Sequence, residues 1–192
     1  KLAKPEVIAG DHIQTDEEYR SFTVSWLSAA APHLANPNAV YIFTGDKMLF
    51  SLREGMEEAG FKLAQVLIWL KQQPVLGRMD YQPQHELIAY GWHGAHKFHK
   101  AKDRSVLFHT RPNRSPHHPT QKPIGLLRQL ILNSTRIGGT VYDPFCGSGS
   151  TLLAAEQTER RCYAIELEPK HCQTIVARYE KLTGKKAEVT DE

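Results

Sequence analysis

Apolar positions in this chain recur first at helical spacing and later in short runs between helices. Tyr19, Phe22, Thr23, Trp26 and Ala30 share one helical face. Thr15 and Glu18 make a capping box ahead of them, each able to satisfy a free amide of the other, and Pro32 marks the end of the helix. Residues 40–43 form a short β-rich run. Residues 47–59 carry Leu49, Leu52 and Met56 on one helical face, closed by Gly60. Residues 61–70 and 86–90 predict two strands joined by a loop with Pro74, Gly77 and Pro83. That connection lacks a helix, so an antiparallel pair is expected. Residues 93–118 have no clean periodicity and read as an exposed loop. A helix over 123–133 is followed by strand, helix, strand and helix over 140–142, 150–158, 162–166 and 169–183. Such alternation predicts an α/β fold with a mostly parallel sheet, one antiparallel strand and helices on both faces.

Composition narrows the class without naming it. The 192 residues fit a single domain over 1–192, and 41% hydrophobic with 23% charged residues is ordinary for a globular chain. Apolar stretches such as Val66 to Leu70 are too short to span a bilayer, and the sequence opens on no export leader. Cys146, Cys162 and Cys172 have neither disulfide nor zinc spacing, so a cytoplasmic setting without membrane contact is expected. The net charge of +3 says little, but its distribution says more. Lys97, Lys100, Lys102, Arg104, Arg111 and Arg114 lie between His93 and His118 with one acid, Asp103. His93, His96 and His99 recur every third residue, but no cysteine and few acids accompany them, so no metal is expected.

The stretch from Val141 to Thr151 is the most informative. A strand runs into a Gly/Ser turn that opens a helix. Gly147 and Gly149 can take backbone angles other residues avoid and let a ligand approach the main chain. Ligands of α/β sheets sit at the carboxyl edge of such strands. About twenty residues after the turn stands Glu166, a carboxylate able to accept both ribose hydroxyls of a nucleoside. No lysine follows the glycines as a phosphate-binding loop requires, which disfavours a nucleoside triphosphate. A plain strand-to-helix turn, with Glu166 capping the helix near Pro169, is the alternative. The combination favours an adenosine-type ligand.

Two motifs carry a resemblance. Asp143-Pro144-Phe145-Cys146-Gly147-Ser148-Gly149-Ser150-Thr151 resembles the Asp-Pro-Phe-x-Gly-Ser-Gly-Thr cofactor motif of amino-group DNA methyltransferases, with Ser150 inserted before the threonine or replacing it. His118-Pro119-Thr120-Gln121-Lys122-Pro123 is similar to the His-Pro-Thr-x-Lys-Pro motif of the same enzymes. Its place just before the glycine turn resembles the circularly permuted β-group order. Trp69-x-Lys71 and His85-Glu86 resemble further family strands. The resemblance implies a Rossmann-like S-adenosylmethionine-dependent fold that transfers methyl to N6 of adenine or N4 of cytosine, releasing S-adenosylhomocysteine. It implies that Asp143, Phe145, Cys146, Gly147, Ser148 and Gly149 line the cofactor pocket and that Glu166 holds the ribose. His118, Thr120 and Lys122 then approach the methionine end.

The same resemblance puts target recognition in residues 93–118, with Lys97, Lys100, Lys102, Arg104, Arg111 and Arg114 on DNA and Trp92, Phe98 and Phe108 between them. A solvated basic loop is the alternative. A homodimer is plausible by resemblance. The family's catalytic Asp/Asn/Ser-Pro-Pro-Tyr/Phe tetrapeptide should precede the helix that begins near Thr15. None of the eleven prolines is adjacent to another, and Asn36-Pro37-Asn38 reads as a turn. The tetrapeptide is therefore expected before Lys1. The alternative is a non-catalytic module that binds cofactor and DNA. A methyltransferase of RNA or protein is a further alternative, since the sheet and turn are widely shared.

Overall fold

The computed structural model describes residues 15–75, 77, 80–100, 102–110 and 121–190. Helix α1 (Asp16–Ala30) starts on the expected capping box: the Thr15 amide donates to Glu18 Oε2 at 2.8 Å and the Glu18 amide to Thr15 Oγ1 at 3.2 Å. A 3-10 turn (Ala31–His33) holding Pro32 ends it. Strand β1 (Val40–Thr44) and helix α2 (Leu49–Glu58) follow, and Gly60 closes the turn after α2 at φ 78°. Strands β2 (Phe61–Leu70) and β3 (His85–His93) form the expected antiparallel pair. Strand β4 (Val106–Phe108) leads towards α3 (Ile124–Ser134), β5 (Thr140–Asp143), α4 (Ser150–Gln157), β6 (Arg161–Ala164) and α5 (Pro169–Thr183).

The described strands make two sheets, one in the order β1-β3-β2-β4 and one of β5 and β6. β3 is antiparallel to β1 and β2, while β4 runs parallel to β2 and β6 parallel to β5. One reversed strand in an otherwise parallel arrangement is what the sequence predicts.

Helices cover both faces of the larger sheet. On one, Leu27 and Leu52 with Met56 bury against Phe61 and Ala89. On the other, Leu126 and Leu130 of α3 pack on Leu67, Trp69, Ile88, Tyr90 and Leu107. Each such large apolar side chain contributes roughly 1.5–3 kcal/mol on burial. The adjacent residues Leu127 and Ile131 face Ala154 and Ala155 of α4, with Val141, Cys162 and Phe43 around them. One helix therefore seats both sheets.

Two expectations change. Residues 93–118 are not simply a loop, since β4 pairs with β2 over Ile68–Leu70 and Leu107 is buried. The strand expected over 162–166 is Arg161–Ala164, so Glu166 lies beyond its end. The Asn36–Pro37 peptide is cis and sits in the turn read from the sequence.

Strand direction defines two poles. β1, β2 and β4 end at the pole where Leu70, Phe108 and the start of β3 meet. α3 begins at this pole, because Lys122 just before it reaches Glu86, and descends to the other, where Ser134 meets Tyr41 at 2.6 Å. β5 then climbs back, and its carboxyl end opens into the glycine turn.

Candidate functional site

The turn after β5 is fastened at each residue. The Phe145 amide donates to Asp143 Oδ1 at 3.0 Å and the Cys146 amide to the Ile165 carbonyl at 3.0 Å. The Gly147 amide donates to Glu166 Oε2 at 2.7 Å. From α5, the Arg178 guanidinium donates to the Ser148 carbonyl and, at 3.0 Å, to Ser148 Oγ. Burial lowers the Arg178 pKa.

The two glycines of the turn do different things. Both have left-handed φ, 54° at Gly147 and 81° at Gly149. A Cβ at Gly149 would stand 3.0 Å from Ile175 Cγ1, so this glycine lets α5 approach. A Cβ at Gly147 would meet nothing within 4 Å. Open space above a backbone amide, beside a carboxylate, is room for a ligand.

Glu166 is 15% exposed at its side chain and holds more than the turn. Its Oε1 accepts the Glu168 amide at 2.9 Å, and His171 Nδ1 lies 3.6 Å away. The helix-end role weighed for it is therefore partly present. A carboxylate offers about four acceptor positions, so two amides leave about two for ribose hydroxyls. Ser150 Oγ, at the first turn of α4, is buried without a hydrogen-bond partner among the described residues. The open cradle at Gly147, the spare acceptor capacity of Glu166 and this orphaned hydroxyl fit a nucleoside.

Cys146 is buried, and burial, with Asp143 a lesser cause, pushes its thiol up to about 12. It is a neutral wall of the turn at physiological pH, not a nucleophile. The Phe145 ring leans on α1, 5.6 Å from Phe22 and 5.5 Å from Trp26, and is 55% exposed. By periodicity alone Phe22 and Trp26 hold only a place on a helical face. Their role at the turn depends on a long-range contact that periodicity does not report.

Lys122 stands in a charge triad at the same pole. Its Nζ is 2.6 Å from Glu86 Oε2, and Lys71 Nζ is 2.9 Å from Glu86 Oε1. Lys122 also lies 5.0 Å from the Phe43 ring and 5.7 Å from Trp69. Burial raises the Glu86 pKa, but the two lysines outweigh it and hold the carboxyl below its usual value. The sequence offered Glu86 and Lys71 only as parts of similar strands; the carboxylate bridging two lysines appears once β2 and β3 pair. The described contacts join Lys122 to Glu86 rather than to the turn. His118 and Thr120 lie outside the described residues.

The basic residues expected on DNA do not share one place. Asn38 ties the end of β3 to the turn before β1, with its side chain to the His93 carbonyl at 2.7 Å and its amide to Ala95 at 3.1 Å. The His99 amide donates to the Asn133 carbonyl at 2.7 Å, at the far end of α3. Lys97 therefore lies at the pole opposite the glycine turn, whereas Lys100 lines a concavity that reaches Gly125 at the start of α3, and Arg104 directly precedes Ser105, whose carbonyl accepts from the Ile68 amide near the carboxyl end of β2. Arg111 and Arg114 follow β4 and lie outside the described residues. His93 packs on Phe61, His96 stacks on Trp92 and His99 sits by Asn133, so the three histidines diverge. Among the described residues no group of three His, Cys, Asp or Glu could hold a metal ion. No helix among them is long and apolar enough to cross a membrane.

Residues 9–177 match the family model described as DNA methylase, of the N6/N4 type. The chain belongs to this family. That makes it an S-adenosylmethionine-dependent DNA methyltransferase acting on an exocyclic amino group. The Type II methyltransferase M2.DpnII of Streptococcus pneumoniae is 26% identical over 189 residues, covering 88% of this chain and 70% of the relative. M2.MboI of Moraxella bovis, also a Type II methyltransferase, is 24% identical over 181 residues, covering 85% of this chain and 66% of that protein. The crystal structure of the M1.HpyAVI–SAM complex superposes with a TM-score of 0.72 at 28% identity and 81% coverage of both chains. The cytosine-N4-specific PvuII DNA methyltransferase shares the fold, with a TM-score of 0.75 at 16% identity, over 96% of this chain and 80% of the other.

Proposed function

We propose that residues 1–192 act as one domain that holds S-adenosylmethionine over the glycine turn and presents it to a base at the carboxyl pole of the strands. The observation that carries this reading is the Glu166 carboxylate on the Gly147 amide with open space above that glycine. Glu166 accepts the ribose hydroxyls, and exposed Leu167 beside it offers an apolar surface to the adenine. Asp143, Phe145, Cys146, Ser148 and Gly149 shape the turn. Lys122 and Lys71 exceed Glu86 by one positive charge and favour the carboxylate end of the donor.

The bound cofactor supplies an electrophilic methyl group on a sulfonium. The residues of the chain orient it: a fixed turn and fixed charges lower the barrier by positioning and by electrostatics that need no rearrangement. The sequence holds no Asp-Pro-Pro-aromatic tetrapeptide, so activation of the target amine is assigned to no residue of this chain. The family match favours the enzyme over a non-catalytic module. DNA contacts are proposed for Arg111 and Arg114, which follow β4 in the sequence, and, at this pole, for the exposed Phe108 ring. A second copy of the chain would cover the edge of β6, which pairs with no strand but β5 among the described residues, and exposed Tyr163 on it. A cytoplasmic setting accords with the bacterial relatives.

Calorimetric titration with S-adenosylmethionine tests the site. Glu166→Ala should weaken binding by about 1.5–3 kcal/mol, and Glu166→Gln, which keeps an acceptor for the Gly147 amide, by less. Unchanged affinity in both variants would remove Glu166 from the pocket.

A further inference from the structure

Helix α3 presents three faces to the rest of the chain. Leu126 and Leu130 bury in the larger sheet, and Leu127 and Ile131 pack on α4. The third face carries Gly125, Gln129 and Asn133, each four residues after the last, so they lie one above another along the helix. A plain amphipathic helix would leave such a stripe to water. Here His99, Asp103 and His109 meet it in turn, in the order opposite to the helix.

The contacts along this stripe are polar. Near the end of α3 the His99 amide donates to the Asn133 carbonyl at 2.7 Å. Further up, Asp103 Oδ2 accepts Asn133 Nδ2 at 2.8 Å and Gln129 Nε2 at 2.7 Å, while Oδ1 accepts the Arg104 amide at 2.9 Å. Gln129 Oε1 lies 2.7 Å from His109 Nε2. An ionised carboxylate only accepts, so the Gln129 amide turns its nitrogen to Asp103 and its oxygen to His109, whose Nε2 then donates. A Cβ at Gly125 would stand 3.3 Å from His109 Nδ1, so the absent side chain leaves a seat for the imidazole. Between Asp103 and His109 runs β4, paired to β2, and the His109 carbonyl accepts Trp69 Nε1 at 2.9 Å. Gln129 therefore holds both ends of the β4 segment, one with each arm of its amide. Such a clasp is directional where an apolar contact is not. A slip of one residue would leave the part-buried carboxylate and amide without their partners.

We propose that Gln129 is a positioning residue for DNA binding: by clasping Asp103 and His109 it fixes the path of the basic segment on which the cations are carried. Lys100, Lys102 and Arg104 before β4, and Arg111 and Arg114 after it, then meet a duplex from one register. The inference rests on the reading of residues 93–118 as the segment that holds the substrate DNA. A segment already ordered gives up little freedom on binding, whereas a loose one loses affinity to its own ordering. The helix that supplies the clasp begins beside Lys122 and leans on α4 behind the glycine turn, so one element seats both the cofactor side and the DNA side.

The test measures duplex affinity by fluorescence anisotropy at fixed salt, with S-adenosylhomocysteine present, and S-adenosylmethionine affinity by calorimetry, both on the full chain. Gln129→Leu removes both bonds without changing charge. It should weaken duplex binding about tenfold and leave cofactor affinity unchanged. Asp103→Asn/Gln129→Glu exchanges donor and acceptor across the contact at constant net charge. The Asn133 amide, whose oxygen is buried without a partner among the described residues, turns to accept from the new donor. This pair should recover duplex affinity to within about threefold of wild type. Asp103→Asn/Gln129→Leu should stay weak although it carries one more positive charge. Unaltered duplex affinity in Gln129→Leu would overturn the proposal. So would an equal loss of duplex and cofactor affinity, which would make Gln129 a general prop of the fold, or a failure of the exchanged pair to recover. Arg111→Ala/Arg114→Ala tells the two readings apart. Wild-type duplex binding by that variant would overturn the DNA reading and the clasp with it, whereas a loss there beside an unaltered Gln129→Leu would overturn the clasp alone.

Discussion

At the residue scale the glycine turn separates two demands that the motif alone runs together. Both glycines adopt left-handed backbone without a Cβ clash, so alanine at either costs roughly 1–2 kcal/mol in conformation. At Gly149 the new methyl also presses on Ile175 in α5, and the loss should show as reduced stability in urea. At Gly147 the methyl enters open space, so Gly147→Ala should cost less stability and lower cofactor affinity more. Equal effects of the two substitutions on both measurements would contradict this division. The pair Gly147 and Glu166 was legible in the sequence because a strand, a glycine turn and an acid about twenty residues on have a fixed geometric meaning. The pairing of Lys122 with Glu86 was not, because it depends on the register of β3 against β2.

The elements show where periodicity loses its hold. α1, α2, α3, α4 and α5 were all readable, since each carries an apolar face, a cap or a flanking proline or glycine. β4 was missed because three residues alternating exposed, buried, exposed inside a basic stretch make no statistical signal; its partner β2 supplies the order. Docking of the preceding segment on α3 rests on Asp103, a polar contact that no hydrophobic pattern records. Burial raises the pKa of that carboxyl, but bonds from Gln129, Asn133 and the Arg104 amide and the charge of Lys100 bring it down to about 2. A depressed carboxyl stabilises the fold above its unfolded pKa and ceases to as pH falls through the folded value. Asp103→Asn should therefore cost about 2 kcal/mol at pH 7 in denaturant unfolding, with the difference from wild type disappearing towards pH 2. A gap that persists in acid would assign the loss to something other than this charge. On α5, Arg178→Lys keeps the charge but not the forked geometry on Ser148. It should lower cofactor affinity severalfold while changing the unfolding midpoint little, which paired titration and urea melts would show.

For the whole molecule, strand direction did what local sequence could not, spreading Lys97 to Arg104 from one end of the sheet towards the other. Fold class and cofactor chemistry were legible because motif order and alternation survive without coordinates; the placement of Lys97 to Arg104 was not, because it requires knowing that β3 descends while β4 ascends. The two sheets should also differ in firmness. β2 and β3 are flanked on both sides and buried under two cores, whereas β5 and β6 pair over four residues. Native-state hydrogen exchange should find β2 and β3 opening only with global unfolding and β5 and β6 at lower free energy. Uniform protection would show the sheets to be one cooperative unit. The fastening of residues 145–148 by Asp143, Ile165, Glu166 and Arg178 has a kinetic consequence. An incoming nucleoside meets a surface already in its final shape, so its arrival should follow a single exponential whose rate climbs linearly with concentration and never levels off.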